Sequence, residues 1–195
     1  MKIRYINGRR IYYAFMAGAR EVTQQRIHLN KINVFPVADG DTGSNLVSTL
    51  NHILHSVTPT VSIKDTLQSI ADASLAGARG NSGIIFAQFI NGVAAEVKQQ
   101  QVMTAQSFGQ TLINSVPYAY ESMAEPVEGT MLTVIKTWAE AFNEAGKKSN
   151  DFVEILNHSL EQAREALIKT PDKLEILKKS KVVDSGAQGF VHFLE

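Results

Sequence analysis

Two aspartates separated by a single glycine, in the run Asp39-Gly40-Asp41-Thr42-Gly43-Ser44-Asn45, are the residues of this chain best suited to chemistry. Alternate carboxylates can direct their oxygens at a hard cation such as Mg²⁺, while the glycines let the backbone fold closely around it. The residues that follow pass into an apolar pattern at helical spacing, so the loop also ends at a helix N-terminus. Free N–H groups and the positive end of the helix dipole favour an anion such as phosphate there. The preceding stretch, Asn33-Val34-Phe35-Pro36-Val37-Ala38, is apolar, and Pro36 fixes its own φ and disfavours helix at Phe35. It is expected to be a rigid, extended approach to the loop.

Other readings of the same residues divide on position. An EF-hand loop starting at Asp39 would need glycine where Ser44 stands and a bidentate glutamate where Leu50 stands, so calcium sensing is excluded. A turn and helix cap, with Thr42 or Ser44 capping and Gly43 turning the chain, suits them as well as a metal site does. Neither this loop nor Gly77-Ala78-Arg79-Gly80-Asn81-Ser82-Gly83 carries the Gly-Lys-Ser/Thr ending of a Walker loop. In the second stretch, Ser82 and the N–H groups around Gly80 to Gly83 are candidates for phosphate oxygens. Arg79 is either a neutralising charge or a surface residue on a turn.

The elements that must position these loops are helical nearly everywhere outside Val34 to Ala38. Leu46, Leu50, Ile53, Leu54 and Val57 form one apolar stripe, and Leu67, Ile70, Ala71, Ser74 and Leu75 another. Further runs begin near Ile84, around Phe108 with a kink expected at Pro117, around Leu132 to Phe142, and around Val153 to Leu167. At the N-terminus, Lys2, Arg4, Arg9 and Arg10 precede an apolar run that superficially resembles a signal peptide. Tyr12 and Tyr13 interrupt that run, and Ile11, Phe15, Ala19 and Val22 recur at helical spacing, so a packed first helix is expected. About eight amphipathic helices follow from these patterns. They must bury their stripes on one another, which makes an antiparallel all-α assembly the economical fold. Its helix ends would cluster, and the turns at Gly40 to Asn45, Gly77 to Gly83, Glu128-Gly129-Thr130 and Asp184-Ser185-Gly186 would then form one anion-binding cup.

Composition narrows the partners. With 19 basic and 19 acidic residues the formal net charge is zero, so no broad basic field draws in nucleic acid. A polyphosphate would need local compensation from metal ions and helix N-termini. The absence of cysteine excludes thiolate catalysis and Cys-ligated zinc and fits a reducing, cytoplasmic setting. No run is long enough for a membrane span. The 195 residues suit a single domain. The apolar ending Phe190-Val191-His192-Phe193-Leu194-Glu195 is expected to continue into a longer protein.

Taken together, the run Asn33 to Asn45, Gly77 to Gly83, Glu128-Gly129-Thr130-Met131-Leu132-Thr133 and Val183-Asp184-Ser185-Gly186-Ala187-Gln188-Gly189 resemble the nucleotide-binding (DAK2, or L-type) domain of the dihydroxyacetone kinase family. The nearer resemblance is to the ATP-binding N-terminal domain of bacterial fatty acid kinases. It implies a closed barrel of eight antiparallel helices with ATP or ADP at one end and two Mg²⁺ ions between the acidic loop and the phosphates. Thr42, Gly43, Ser44, Asn45, Gly80, Asn81, Ser82 and Gly83 would then surround the phosphates, with Thr130 and Met131 lining the nucleotide pocket. Asp184, Ser185 and Gly186 would close it. Dihydroxyacetone kinases place three aspartates around the metals, whereas two match here, Asp39 and Asp41; Asn33 is the candidate for the third place and brings a carbonyl oxygen without charge.

The activity implied is phosphoryl transfer from ATP to a fatty-acid carboxylate, giving an acyl phosphate, with the acid presented by a lipid-binding (DegV-like) partner or fused domain. Such an acceptor is already ionised at neutral pH and needs no general base, which suits a site of aspartates, glycines and hydroxyls. His28, His52, His55, His158 and His192 are scattered over helical positions and carry no catalytic pattern. Two alternatives stand beside this reading. One is a dihydroxyacetone kinase-type subunit, and the other is a helical interaction or regulatory domain that binds no metal.

Overall fold

The computed structural model describes residues 2–195. Among them are ten helices, in the order α1 (Gly8–Lys31), α2 (Thr42–Ser56), α3 (Ile63–Gly77), α4 (Gly80–Glu96), α5 (Ala105–Glu121), α6 (Met131–Gly146), α7 (Phe152–Ile168), α8 (Thr170–Lys173), α9 (Glu175–Ser180) and α10 (Ser185–Leu194). Two short strands, β1 (Tyr5–Asn7) and β2 (Val102–Thr104), pair antiparallel with Ile6 opposite Met103. All helices but α8 and α9 have ten residues or more, which gives the eight expected from the apolar stripes.

Each long helix packs on its successor, and α10 returns to pack on both α7 and α1, so the ring is closed. The stripes read from sequence are what it buries: Leu46, Leu50 and Ile53 of α2, Leu67, Ile70 and Ala71 of α3, and Phe15, Ala19 and Val22 of α1. The first helix is therefore a packed wall of the barrel. Closure is aromatic. Phe190 of α10 meets Phe89 and Trp138 edge-on, and Phe193 meets Phe15 and Phe86 at centroid separations of 5.0 and 4.9 Å.

Alternation of direction decides which ends meet. The start of α1 is tied by Gly8 N–H to the Val61 carbonyl, the start of α3 by Ile63 N–H to the Gln101 carbonyl, and the start of α7 by Phe152 N–H to the Ile3 carbonyl. The β1–β2 pair lies at that same end, leading into α1 and α5. The opposite end accordingly collects the starts of α2, α4, α6 and α10.

Some boundaries differ from the sequence reading. The strands carry three residues each and were not expected, because segments so short are set by pairing across the fold rather than by local pattern. The Gly80–Gly83 stretch is already the first turn of α4, and the helix therefore starts before Ile84. The run read around Leu132 to Phe142 continues further, since α6 extends to Gly146. Pro117 lies inside α5.

Candidate active site

A cleft of about 500 Å³ opens at the end where α2, α4, α6 and α10 begin. Of the residues proposed from sequence, Asn33, Asp39, Asp41, Thr42, Asn45, Gly80, Asn81, Ser82, Thr130, Met131, Asp184 and Gly186 all line it. Chain positions as far apart as 33 and 186 are thus brought to one wall.

Asp39 and Asp41 are exposed to the cleft. Asp41 occupies the N-cap position of α2, yet its side chain makes no capping bond, which leaves the carboxylate free. The loop is shaped instead by two asparagines. The Asn33 side chain is buried; its Oδ1 accepts the N–H groups of Asp41 and Thr42 at 3.1 and 3.2 Å, and its Nδ2 donates to the carbonyls of Phe35 and Val37. Asn30, at the end of α1, accepts the Ser44 N–H at 3.0 Å and donates to the Ser44 hydroxyl at 2.9 Å. Asn33 was the candidate for a third metal ligand; in the structure both of its polar atoms are occupied in holding the loop together.

The four helix starts are not equivalent. Thr130 caps α6 through the Leu132 N–H, and Asp184 caps α10 through the Ala187 N–H at 2.8 Å. The start of α4 carries no side-chain cap. Gly80 there has φ +58°, a conformation that favours glycine, and a Cβ on it would displace the Asn45 side chain of α2. A left-handed residue feeding a right-handed turn aims successive N–H groups into one concavity, the geometry of an anion nest.

Asp184 is the most perturbed acid of the cleft. Burial pushes its carboxyl up to about 6, against the N–H groups of Ala187 and Met131, which pull it down. Through the Ala187 N–H it holds the first turn of α10. Its own N–H donates to Thr170, which anchors the turn to the end of α7.

Several expected residues do other work. Gly43 packs against the backbone of α1 at Arg26, Gly83 lies within α4 against Thr49, and the Ser185 hydroxyl donates to the Leu29 carbonyl at 2.6 Å. Neither these three nor Ser44 lines the cleft, and Arg79 also stands outside it, exposed at the N-cap position of α4. The residues that sequence reasoning missed are Ile85, Leu132 and the segment contributing Met123, Glu125 and Val127. Pro126 signals no more than a turn in that segment, and side chains of Met and Val carry no chemical signature.

The lining fits a metal-bound polyphosphate. It contains the carboxylates of Asp39, Asp41, Glu125 and Asp184, and among the described residues that line it there is no Lys, Arg or His. A bare polyphosphate would be repelled here; a divalent cation, for which Asp39 and Asp41 would be the ligands, would supply the missing charge. Among the described residues no cluster of three or more His, Cys, Asp or Glu forms a self-sufficient metal cage. A cation held by two carboxylates and completed by phosphate oxygens is the pattern favoured by Mg²⁺. Phe35, Val37, Ile85, Met123, Val127, Met131 and Leu132 give the remaining wall an apolar surface suited to a flat base.

Comparison with known proteins identifies the family. The model of the DAK2 domain matches residues 36–195. Protein YloV of Bacillus subtilis (strain 168) is 34% identical over 193 residues, covering 98% of this chain and 35% of that protein. An uncharacterized protein of Staphylococcus epidermidis is 34% identical over 188 residues, covering 95% of this chain and 34% of its own length. One from Staphylococcus aureus (strain USA300) is 32% identical over 188 residues, with the same coverage. The chain spans about a third of the length of these relatives. No helix is long and apolar enough to cross a membrane among the described residues. With a kinase-related family model matching from Pro36 to the last residue, and the acidic loop and all four helix starts inside the match, this chain belongs to the DAK2 domain family.

Proposed function

We propose that this chain is the nucleotide-binding part of a phosphotransferase that uses Mg²⁺ and ATP to phosphorylate a fatty-acid carboxylate presented by a separate or fused lipid-binding (DegV-like) protein. The observation that carries the reading is the pairing, in one cleft without a lining cation, of two uncommitted carboxylates with the uncapped start of α4. Asp39 and Asp41 hold the metal, and Asn33 and Asn30 fix the loop that presents them. The N–H groups at Gly80, Asn81 and Ser82 receive phosphate oxygens, and the apolar wall from Met123 to Leu132 receives the base. When bound, Mg²⁺ would neutralise the charge of the transferred phosphoryl group. The remaining catalytic demand is to position the reactants and exclude water. A carboxylate acceptor arrives ionised, so no proton need be removed from it.

Calorimetric titration with ADP, with and without Mg²⁺, tests the reading. Binding is expected to require Mg²⁺ and to vanish in Asp41→Ala, a variant that keeps its stability because the Asp41 side chain caps nothing. A correctly folded wild-type chain that binds neither ADP nor ATP in excess Mg²⁺ would refute it. Acyl phosphate formation on addition of a fatty-acid-loaded partner then tests the acceptor, with dihydroxyacetone as the competing substrate.

A further inference from the structure

Segment 122–130, which joins α5 to α6, supplies Met123, Glu125, Val127 and Thr130 to the cleft. Its backbone gives it little rigidity: Met123 N–H donates to the Tyr120 carbonyl, after which the chain runs irregularly to α6. What spans the gap is a side-chain clasp. The Glu128 carboxylate accepts the Tyr120 hydroxyl on Oε1 at 2.9 Å and the Thr133 hydroxyl on Oε2 at 2.5 Å. Tyr120 belongs to the last turn of α5 and Thr133 to the first turn of α6, so one carboxylate bridges the two helices that the segment connects. Thr133 Oγ1 in turn accepts the Gly129 N–H at 2.8 Å, and the Thr130 hydroxyl donates to the Val127 carbonyl at 2.7 Å. Lys136 and Lys173 add favourable charge nearby.

We propose that Glu128 is a positioning residue for the base-facing wall. By gripping Tyr120 and Thr133 it pins segment 122–130 and holds Met123 and Val127 against the nucleoside, without touching the nucleotide itself. Glu128 is absent from the cleft lining, as that role requires. The inference rests on the reading of the cleft as a nucleotide site and assigns its affinity for the base to a clasp outside it.

The test separates the two ends of the cleft. Wild type, Glu128→Ala and Tyr120→Phe are titrated with ADP and with inorganic pyrophosphate, each with Mg²⁺, and amide hydrogen exchange is followed over residues 122–130. Glu128→Ala is expected to weaken ADP about fivefold, the worth of one or two exposed hydrogen bonds, and to speed exchange in that segment while pyrophosphate affinity stays within about twofold. Tyr120→Phe, which cuts one arm only, should fall between. Unchanged exchange in Glu128→Ala would refute the clasp, and faster exchange with unchanged ADP affinity would refute its positioning role. Equal losses for ADP and pyrophosphate would also overturn it. Wild type that binds neither ligand would instead defeat the nucleotide reading, and the exchange data would still decide whether the clasp exists.

Discussion

Replacing Asp184 by Asn should flatten one part of the dependence of stability on pH. The Asp184 side chain is buried, its Oδ1 accepts the Ala187 N–H, the nearby Met131 N–H also favours its charged form, and among the described residues no cationic side chain lines the cleft beside it. Burial disfavours the charged form more than the two amides favour it, and the carboxyl is pushed from 3.8 up to about 6. The native state therefore binds a proton more tightly than the unfolded chain. Its contribution is fully present below the unfolded value near 3.8 and is lost as pH rises through about 6. A shift of roughly two units corresponds to about 3 kcal/mol across the full range, of which about 2 kcal/mol falls between pH 4.5 and 7.5.

The asparagine side chain of this variant keeps an oxygen for the Ala187 amide but cannot ionise. Urea unfolding of wild type and Asp184→Asn at the two pH values gives a double difference in which all other titrating groups cancel. Wild type should lose about 2 kcal/mol relative to the variant between pH 4.5 and 7.5, whatever constant offset the new amide introduces. Parallel profiles, within about 0.5 kcal/mol, would show that Asp184 is effectively solvated in the native state. The assigned balance of burial over hydrogen bonding would then be wrong.

Asn33→Ala removes the acceptor for two loop amides and should cost about 1–3 kcal/mol in thermal or urea unfolding; Mg²⁺-dependent ADP binding should weaken as well, because Asp41 is no longer held. Phe190→Ala opens the aromatic contact that seats α10 against Phe89 and Trp138, and is expected to cost about 3–5 kcal/mol by urea unfolding.

How far the sequence could be read depended on the range over which each signal acts. Stripes such as Leu46, Leu50 and Ile53 encode a buried helix face within one segment, and these are the faces the ring buries. Asp39, Asp41, Gly80 and Asp184 were legible as site candidates in combination, because acids and glycines singly are also ordinary turn and cap residues and the likeness to a known family tied these four together. The hydroxyl residues were less certain guides. Ser44 and Ser185 have the same chemistry as Ser82, but their partners, Asn30 and the Leu29 carbonyl, come from a remote part of the chain and fix them in the framework. Asn30 itself has no local sign of its task, which depends on the angle at which α1 meets α2. The clasp at Glu128 was invisible for the same reason, since it exists only once α5 and α6 lie side by side.

An up-and-down ring of eight long helices must gather four N-termini at one end together with four C-termini, so the dipoles alone do not make that end attractive to anions. Capping breaks the balance. The end of α1 is closed by Ile32 N–H on the His28 carbonyl and that of α3 by Ala78 N–H on the Leu75 carbonyl, while α4 begins without a cap. Gly80 is where that opening is made, because its left-handed φ favours glycine and a Cβ there would displace the Asn45 side chain. Gly80→Ala should therefore carry two separable costs: roughly 1–2 kcal/mol of backbone strain, and a collision that disappears when Asn45 is also cut back. In the double-mutant cycle of Gly80→Ala with Asn45→Ala, thermal and urea unfolding should show a coupling of about 1 kcal/mol or more, with the double variant less impaired than the sum of the singles. Affinity for Mg²⁺-pyrophosphate should stay low in the double variant, since relief of the collision does not restore the left-handed turn. Additive stabilities would refute the steric account. Recovery of pyrophosphate affinity in the double variant would show that close packing of α2 on α4, rather than the turn at Gly80, builds the anion site.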